Sequence, residues 1–182
     1  MKPRVWVSLL VMAIGITVAA VAQSFLPLPP PLRLPAPLLL GTAIYYCVRR
    51  EAGYGLLCAL WCGVFEDGLG GVPLGASLAF FAATWWFCRF VIRRQMPETT
   101  LSCAVAGAAL APLLLLAQYF AFRATGGCPA FPLLFLLARF VASVFAGALA
   151  AGLMAFALHA LDWISANVGL EDERDALEDL QT

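Results

Sequence analysis

Long apolar stretches, cut at intervals by short polar clusters, dominate the chain and predict helices rather than strands, since most run well beyond strand length. Six stretches can be marked, over residues 5–26, 34–48, 52–66, 74–92, 101–122 and 131–164. The interruptions are the proline-rich "PLPPPLRLPAP", the run Arg49-Arg50-Glu51, the carboxylates of "FEDGLGGVPLG", the pair Arg93-Arg94, and "RATGGCPAFP". Proline has no amide proton and restrains the residue before it, so the first of these is expected to be extended. The second and third stretches are short. About fifteen residues rise roughly 22 Å, less than the ~30 Å of a hydrocarbon core.

Composition turns this pattern into a fold class. Hydrophobic residues make up 63% of the 182 positions and charged ones 12%, and the mean hydropathy is +0.89. A soluble domain is far less apolar. The expectation is an all-α integral membrane protein with six transmembrane helices in one domain, residues 1–164, solvated by membrane lipid. The N-terminal span ends in "AVAQS", which imitates a cleavage site, but the apolar run Val5 to Ala22 is long for a signal peptide and retention is expected.

Charge supplies the orientation. Lys and Arg concentrate in short cytoplasmic loops, and a cytoplasmic N-terminus puts Lys2, Arg4, Arg49, Arg50, Arg93 and Arg94 inside, leaving Arg33 and Arg123 outside. Both termini then face the cytoplasm. The segment 165–182 is an acidic tail, expected to be disordered, carrying six acids and one arginine in "EDERDALEDLQT". Such a tail is a solvated terminus or a strip for a basic partner. No basic patch interleaved with aromatics suggests nucleic acid.

Candidate chemistry is sparse. Cys47, Cys58, Cys62, Cys88, Cys103 and Cys128 show no CxxC pair or metal-ligand spacing, and all but Cys128 sit in apolar runs as small buried side chains. The single His159 reads as a hydrogen-bonded interfacial residue. Neither a cofactor nor a metal site is expected. Glu66 and Asp67 are neighbours, so on a helix they point about 100° apart and cannot work as a catalytic pair on one substrate. No nucleophile elbow, metalloprotease, P-loop or dinucleotide motif occurs, and no catalytic residue is assigned. The two acids are instead placed on an outward hairpin between the third and fourth spans, where Asp67 can accept the amide protons of the turn. A charge at that depth needs a partner. Arg139, about eight residues into the sixth span, is the expected one for Glu66 or Asp67, with Arg123 as the other candidate.

In the sixth span, Ser143, Gly147, Ala151 and Ala155 recur every four residues. Small residues at this spacing let another backbone approach in lipid. The strip can pack inside the bundle or receive a helix of another molecule.

The stretch "GVFEDGLGGVPLG" resembles the signature of the rod shape-determining protein MreD family, G-x-x-x-D-x-x-x-G-x-P-L-G, through Gly63, Asp67, Gly71, Pro73, Leu74 and Gly75. Pro37, Tyr45, Tyr46, Gly53 and Gly55 stand where the family has its proline, aromatic pair and glycine-rich third helix. The resemblance implies a non-enzymatic scaffold of the cell-wall elongation complex in the bacterial inner membrane. Its implied partners are an MreC-like protein and, around it, MreB, RodA and a penicillin-binding transpeptidase. It also implies a helical fold resembling the substrate-binding subunits of energy-coupling-factor transporters. A vitamin-binding subunit of that kind is therefore the rival reading, with Gln118, Arg139, Glu66 and Asp67 as the polar groups available to a pocket.

Overall fold

The computed structural model describes the backbone of residues 3–26, 36–70, 75–125 and 133–178, and the side chains of 8–26, 36–70, 75–125 and 134–163. Gly71, Pro73, Leu74, Arg33, Cys128 and Lys2 lie outside the described residues, as do the side chains of Arg4 and of the acidic tail. All regular structure among the described residues is helical: α1 (Pro3–Phe25), α2 (Leu38–Arg49), α3 (Ala52–Gly70), α4 (Ala76–Phe87), α5 (Arg93–Gln95), α6 (Thr100–Ala124) and α7 (Leu133–Glu178). A π-helical turn, Cys88–Ile92, joins α4 to α5 without a break.

Local chemistry sets the boundaries. Arg50 turns extended, at φ −103° and ψ 171°, which ends α2 and lets α3 restart two residues later. At the start of α6, Thr99 Oγ1 accepts the Ser102 N–H at 3.3 Å, filling one of the donors a helix start leaves orphaned. Two boundaries differ from the sequence reading. α3 continues through Glu66 and Asp67 to Gly70, so both acids sit in the last turns of a helix rather than on a hairpin. The backbone of α7 runs on helically to Glu178, well into the tail expected to be disordered.

Ser8–Phe25, Thr100–Ala124 and Leu134–Trp163 are long and apolar enough to cross a membrane, and α2 is a shorter apolar helix. Their outer faces carry large apolar side chains such as Phe145, Leu149 and Phe156. In lipid such faces need no cover. The chain is thus a membrane-embedded helical protein.

The core is built around α2, in which every residue from Leu38 to Val48 is buried. α7 packs on it where a Cβ at Gly41 would stand 2.9 Å from Ala150 O and Ala151 Cα. α3 packs on it where a Cβ at Gly55 would stand 3.1 Å from Cys47 Cα. α6 and α7 close on each other through Gly107 and Gly147, each pressed against the other's carbonyl oxygen. Ser143, Gly147, Ala151 and Ala155 are all buried, with Gly147 and Ala151 against α6 and Ala151 also against α2. The strip is therefore filled from within the chain, and its use as an exposed groove for another molecule's helix is set aside.

Candidate functional site

Polar side chains gather at the two ends of the bundle, as they must where apolar helices meet lipid along their middles. The first cluster joins the ends of α1, α3 and α6 to the starts of α2 and α4. Its centre is Glu66, 4% exposed, whose Oε2 accepts the Gln23 amide at 2.7 Å and whose Oε1 accepts the Gln118 amide at 3.0 Å. Gln23 in turn accepts the Leu39 N–H through Oε1 at 3.1 Å, so it also caps the start of α2.

Asp67, 3% exposed, does the same for α4. Its Oδ2 accepts the Gly75 N–H at 2.7 Å and its Oδ1 the Ser77 N–H at 2.9 Å. These are first-turn donors with no partner inside their own helix, and the helix macrodipole also favours a carboxylate there. Gly75 has φ 103°, the left-handed region that glycine enters without strain. One turn below Asp67, a Cβ at Gly63 would stand 2.7 Å from Leu78 Cα, so α3 and α4 touch backbone to backbone at this joint.

The expected pairing of Arg139 with Glu66 or Asp67 is thereby corrected. Both oxygens of each carboxylate are engaged by amide or backbone N–H donors, while the Arg139 guanidinium lies over the Phe135 ring at 5.5 Å. Arg123, the other candidate, donates to the Tyr119 hydroxyl at 3.2 Å. Backbone and amide donors occupy the carboxylate oxygens where an arginine was expected.

Beside Glu66 lies a cavity of about 40 Å³ lined by Pro37, Glu66, Leu114, Gln118, Ser143 and Ala146, among others. It is room for a few waters.

The opposite end of the bundle holds the second cluster. Arg50 Nη2 bonds Asp162 Oδ1 at 2.7 Å, and the Tyr45 hydroxyl donates to Asp162 Oδ2 at 2.5 Å. Burial works against the Arg50 charge, but the bond to Asp162 outweighs it and holds the guanidinium above its ordinary value. Arg49 Nη1 meets His159 Nδ1 at 2.9 Å, Arg93 Nη1 reaches Arg50 O at 3.4 Å, and Arg93 pairs with Glu98 at 2.7 Å. These contacts tie the end of α2 to α7, and α5 to the end of α2 and to the residues just before α6.

Sequence reasoning took Gln23 for part of a cleavage-site imitation and missed Tyr45 and Asp162 as a pair. The usable signal was a lone amide at the end of an apolar run, since such a group in lipid must find a partner. The five described cysteines are all buried, and Cys58 Sγ lies 4.0 Å from Cys62 Sγ. Among the described residues no three His, Cys, Asp or Glu side chains converge as metal ligands. Compared with protein-family models, curated proteins and solved structures, the chain matches none of them.

Proposed function

We propose that this protein is a non-enzymatic scaffold of the bacterial cell-wall elongation complex, holding an MreC-like partner in the inner membrane and contributing to rod shape through it. MreB, RodA and a penicillin-binding transpeptidase are the further components it would work among. The observation that carries the reading is the joint at Asp67. Gly63, Asp67 and Gly75, where the sequence resembles the MreD signature, are occupied in fastening α3 to α4: one by backbone contact, one by capping, one by its left-handed turn. A signature spent on rigidity suits a scaffold.

Six crossings with both termini in the cytoplasm belong to the same proposal. Arg49, Arg50 and Arg93 gather at one end of the bundle, and Glu66 and Asp67 belong to the other, which agrees with positive charge retained inside. The rival reading, a vitamin-binding subunit, needs a pocket of about 300 Å³ or more. The cavity at Glu66 is about 40 Å³.

Photo-crosslinkers placed in living cells at Val141, Phe145 and Leu149, exposed on α7, test the reading. Capture of an MreC-like protein, with rounding of rod-shaped cells on depletion of this chain, is the expected result. Unchanged cell shape on depletion, or thermal stabilisation of the purified protein by a vitamin, goes against it.

A further inference from the structure

The box around Glu66 contains an imbalance of charge. Gln23 cannot turn its amide round, because its Oε1 is held by the Leu39 N–H, a donor only, and Nε2 must therefore face Glu66. Glu66 Oε2 is consequently an acceptor. Gln118 offers a second N–H to Oε1. Two neutral amides satisfy the hydrogen bonding of a carboxylate but bring no positive charge, and among the described residues no Lys, Arg or His bonds it. The neighbouring charge is Asp67, of the same sign and already engaged with α4. A carboxylate 4% exposed at the end of a membrane bundle requires compensation.

We propose that the cavity beside Glu66 binds a monovalent inorganic cation of about sodium size. Three oxygen-bearing side chains from three helices border it: the Glu66 carboxylate on α3, the Gln118 amide on α6 and the Ser143 hydroxyl on α7. The Ser143 proton is committed to Phe140 O at 2.7 Å, so its oxygen is available as a donor of lone pairs. Hard oxygen ligands with one net negative charge match a hard cation of single charge. A divalent ion is held instead by more carboxylates in shells of about six to eight oxygens. A cavity of about 40 Å³ admits an ion with roughly two waters, by the volume a water needs. Bound there, the ion would link α3, α6 and α7 at the end of the bundle where α6 and α7 are not yet joined by Gly107 and Gly147. The inference stands whether or not the scaffold reading holds.

The test is thermal unfolding of the full chain in lipid nanodiscs, in sodium, potassium and choline chloride at equal ionic strength and across pH. Sodium should raise Tm over choline by a few degrees, through binding to the folded state alone, and the rise should vanish in Glu66→Gln. That variant keeps the box, since its amide can accept from Gln23 and donate to a reversed Gln118. Should Glu66→Gln not fold, sodium NMR linewidths on the unaltered protein, with potassium as competitor, and the weaker sodium response expected of Ser143→Ala decide the matter. Equal Tm in all three salts overturns the site, as does a sodium effect that survives in Glu66→Gln. Stability that follows pH while ignoring the cation overturns it too, and assigns the compensation to a proton.

Discussion

Gly107 on α6 and Gly147 on α7 meet as bare backbone, each glycine's missing side chain replaced by the other's carbonyl oxygen. Ala151 and Ala111 flank the contact, where their methyl groups would also clash with a Cβ at Gly107 or Gly147. In lipid, where no hydrophobic drive brings helices together, this closeness is what dispersion and packing require.

Gly147→Leu should therefore break the fold itself rather than a contact with another molecule. Overpacking of this kind destabilises by about 1–3 kcal/mol or more, and here the obstacle is backbone, which cannot rotate away. Thermal unfolding in detergent should show a clear loss of Tm for Gly147→Leu and Gly107→Leu. Gly53→Ala and Gly68→Ala, where a Cβ meets nothing within 4 Å, should be neutral or slightly stabilising.

Asp67→Ala strands the N–H groups of Gly75 and Ser77. The Ser77 N–H is buried, and a buried donor left orphaned costs about 1–3 kcal/mol, so folded yield should fall. Asp67→Asn, which keeps one acceptor oxygen, should recover part of it. Exchanging the charges of Asp67 and Arg139 should give no rescue, because the carboxylate's partners are backbone groups; full recovery in that double variant would restore the ion pair expected from sequence.

Gly75 at φ 103° marks a narrower requirement. Alanine there has open space, so the penalty is conformational alone, about 1–2 kcal/mol. Asparagine, which tolerates the left-handed region better, should cost less. Measured unfolding of the two variants should rank them in that order.

At the opposite end, Tyr45 and Arg50 share the two oxygens of Asp162. Tyr45→Phe removes one bond and leaves Arg50 in place, for a loss of about 1 kcal/mol. Asp162→Asn weakens both. The double variant should lose less than the sum of the singles, with a coupling in the range of about 0.5–3 kcal/mol found for residues in one network.

Much of this was legible from the pattern of apolar runs, since a helix in lipid announces itself by length alone. Asp67 as acceptor for its turn was legible too, from a carboxylate beside glycines. The end of α3 was not, because two charges read as a stop although both are buried and their helix continues past them to Gly70. The partners of Glu66 were hidden for a related reason. An acid in lipid suggests an arginine, but two glutamines some 43 and 52 residues away meet its hydrogen-bonding need, and spacing along the chain does not reveal that the fold brings these distant amides together. Nor could a four-residue repeat on α7 say whether its neighbour is α6, α2 or another molecule.

The enclosure of α2 on every side bears on how the protein is made. Its 12 residues rise about 18 Å, too little to cross a bilayer alone, and it leaves the ribosome before α3, α6 and α7, which supply most of its walls. As an independent span it would be mismatched to the bilayer. The bilayer must thin around it, or its flanking arginines snorkel, until those helices arrive, so a product truncated ahead of α6 would leave α2 without most of its walls.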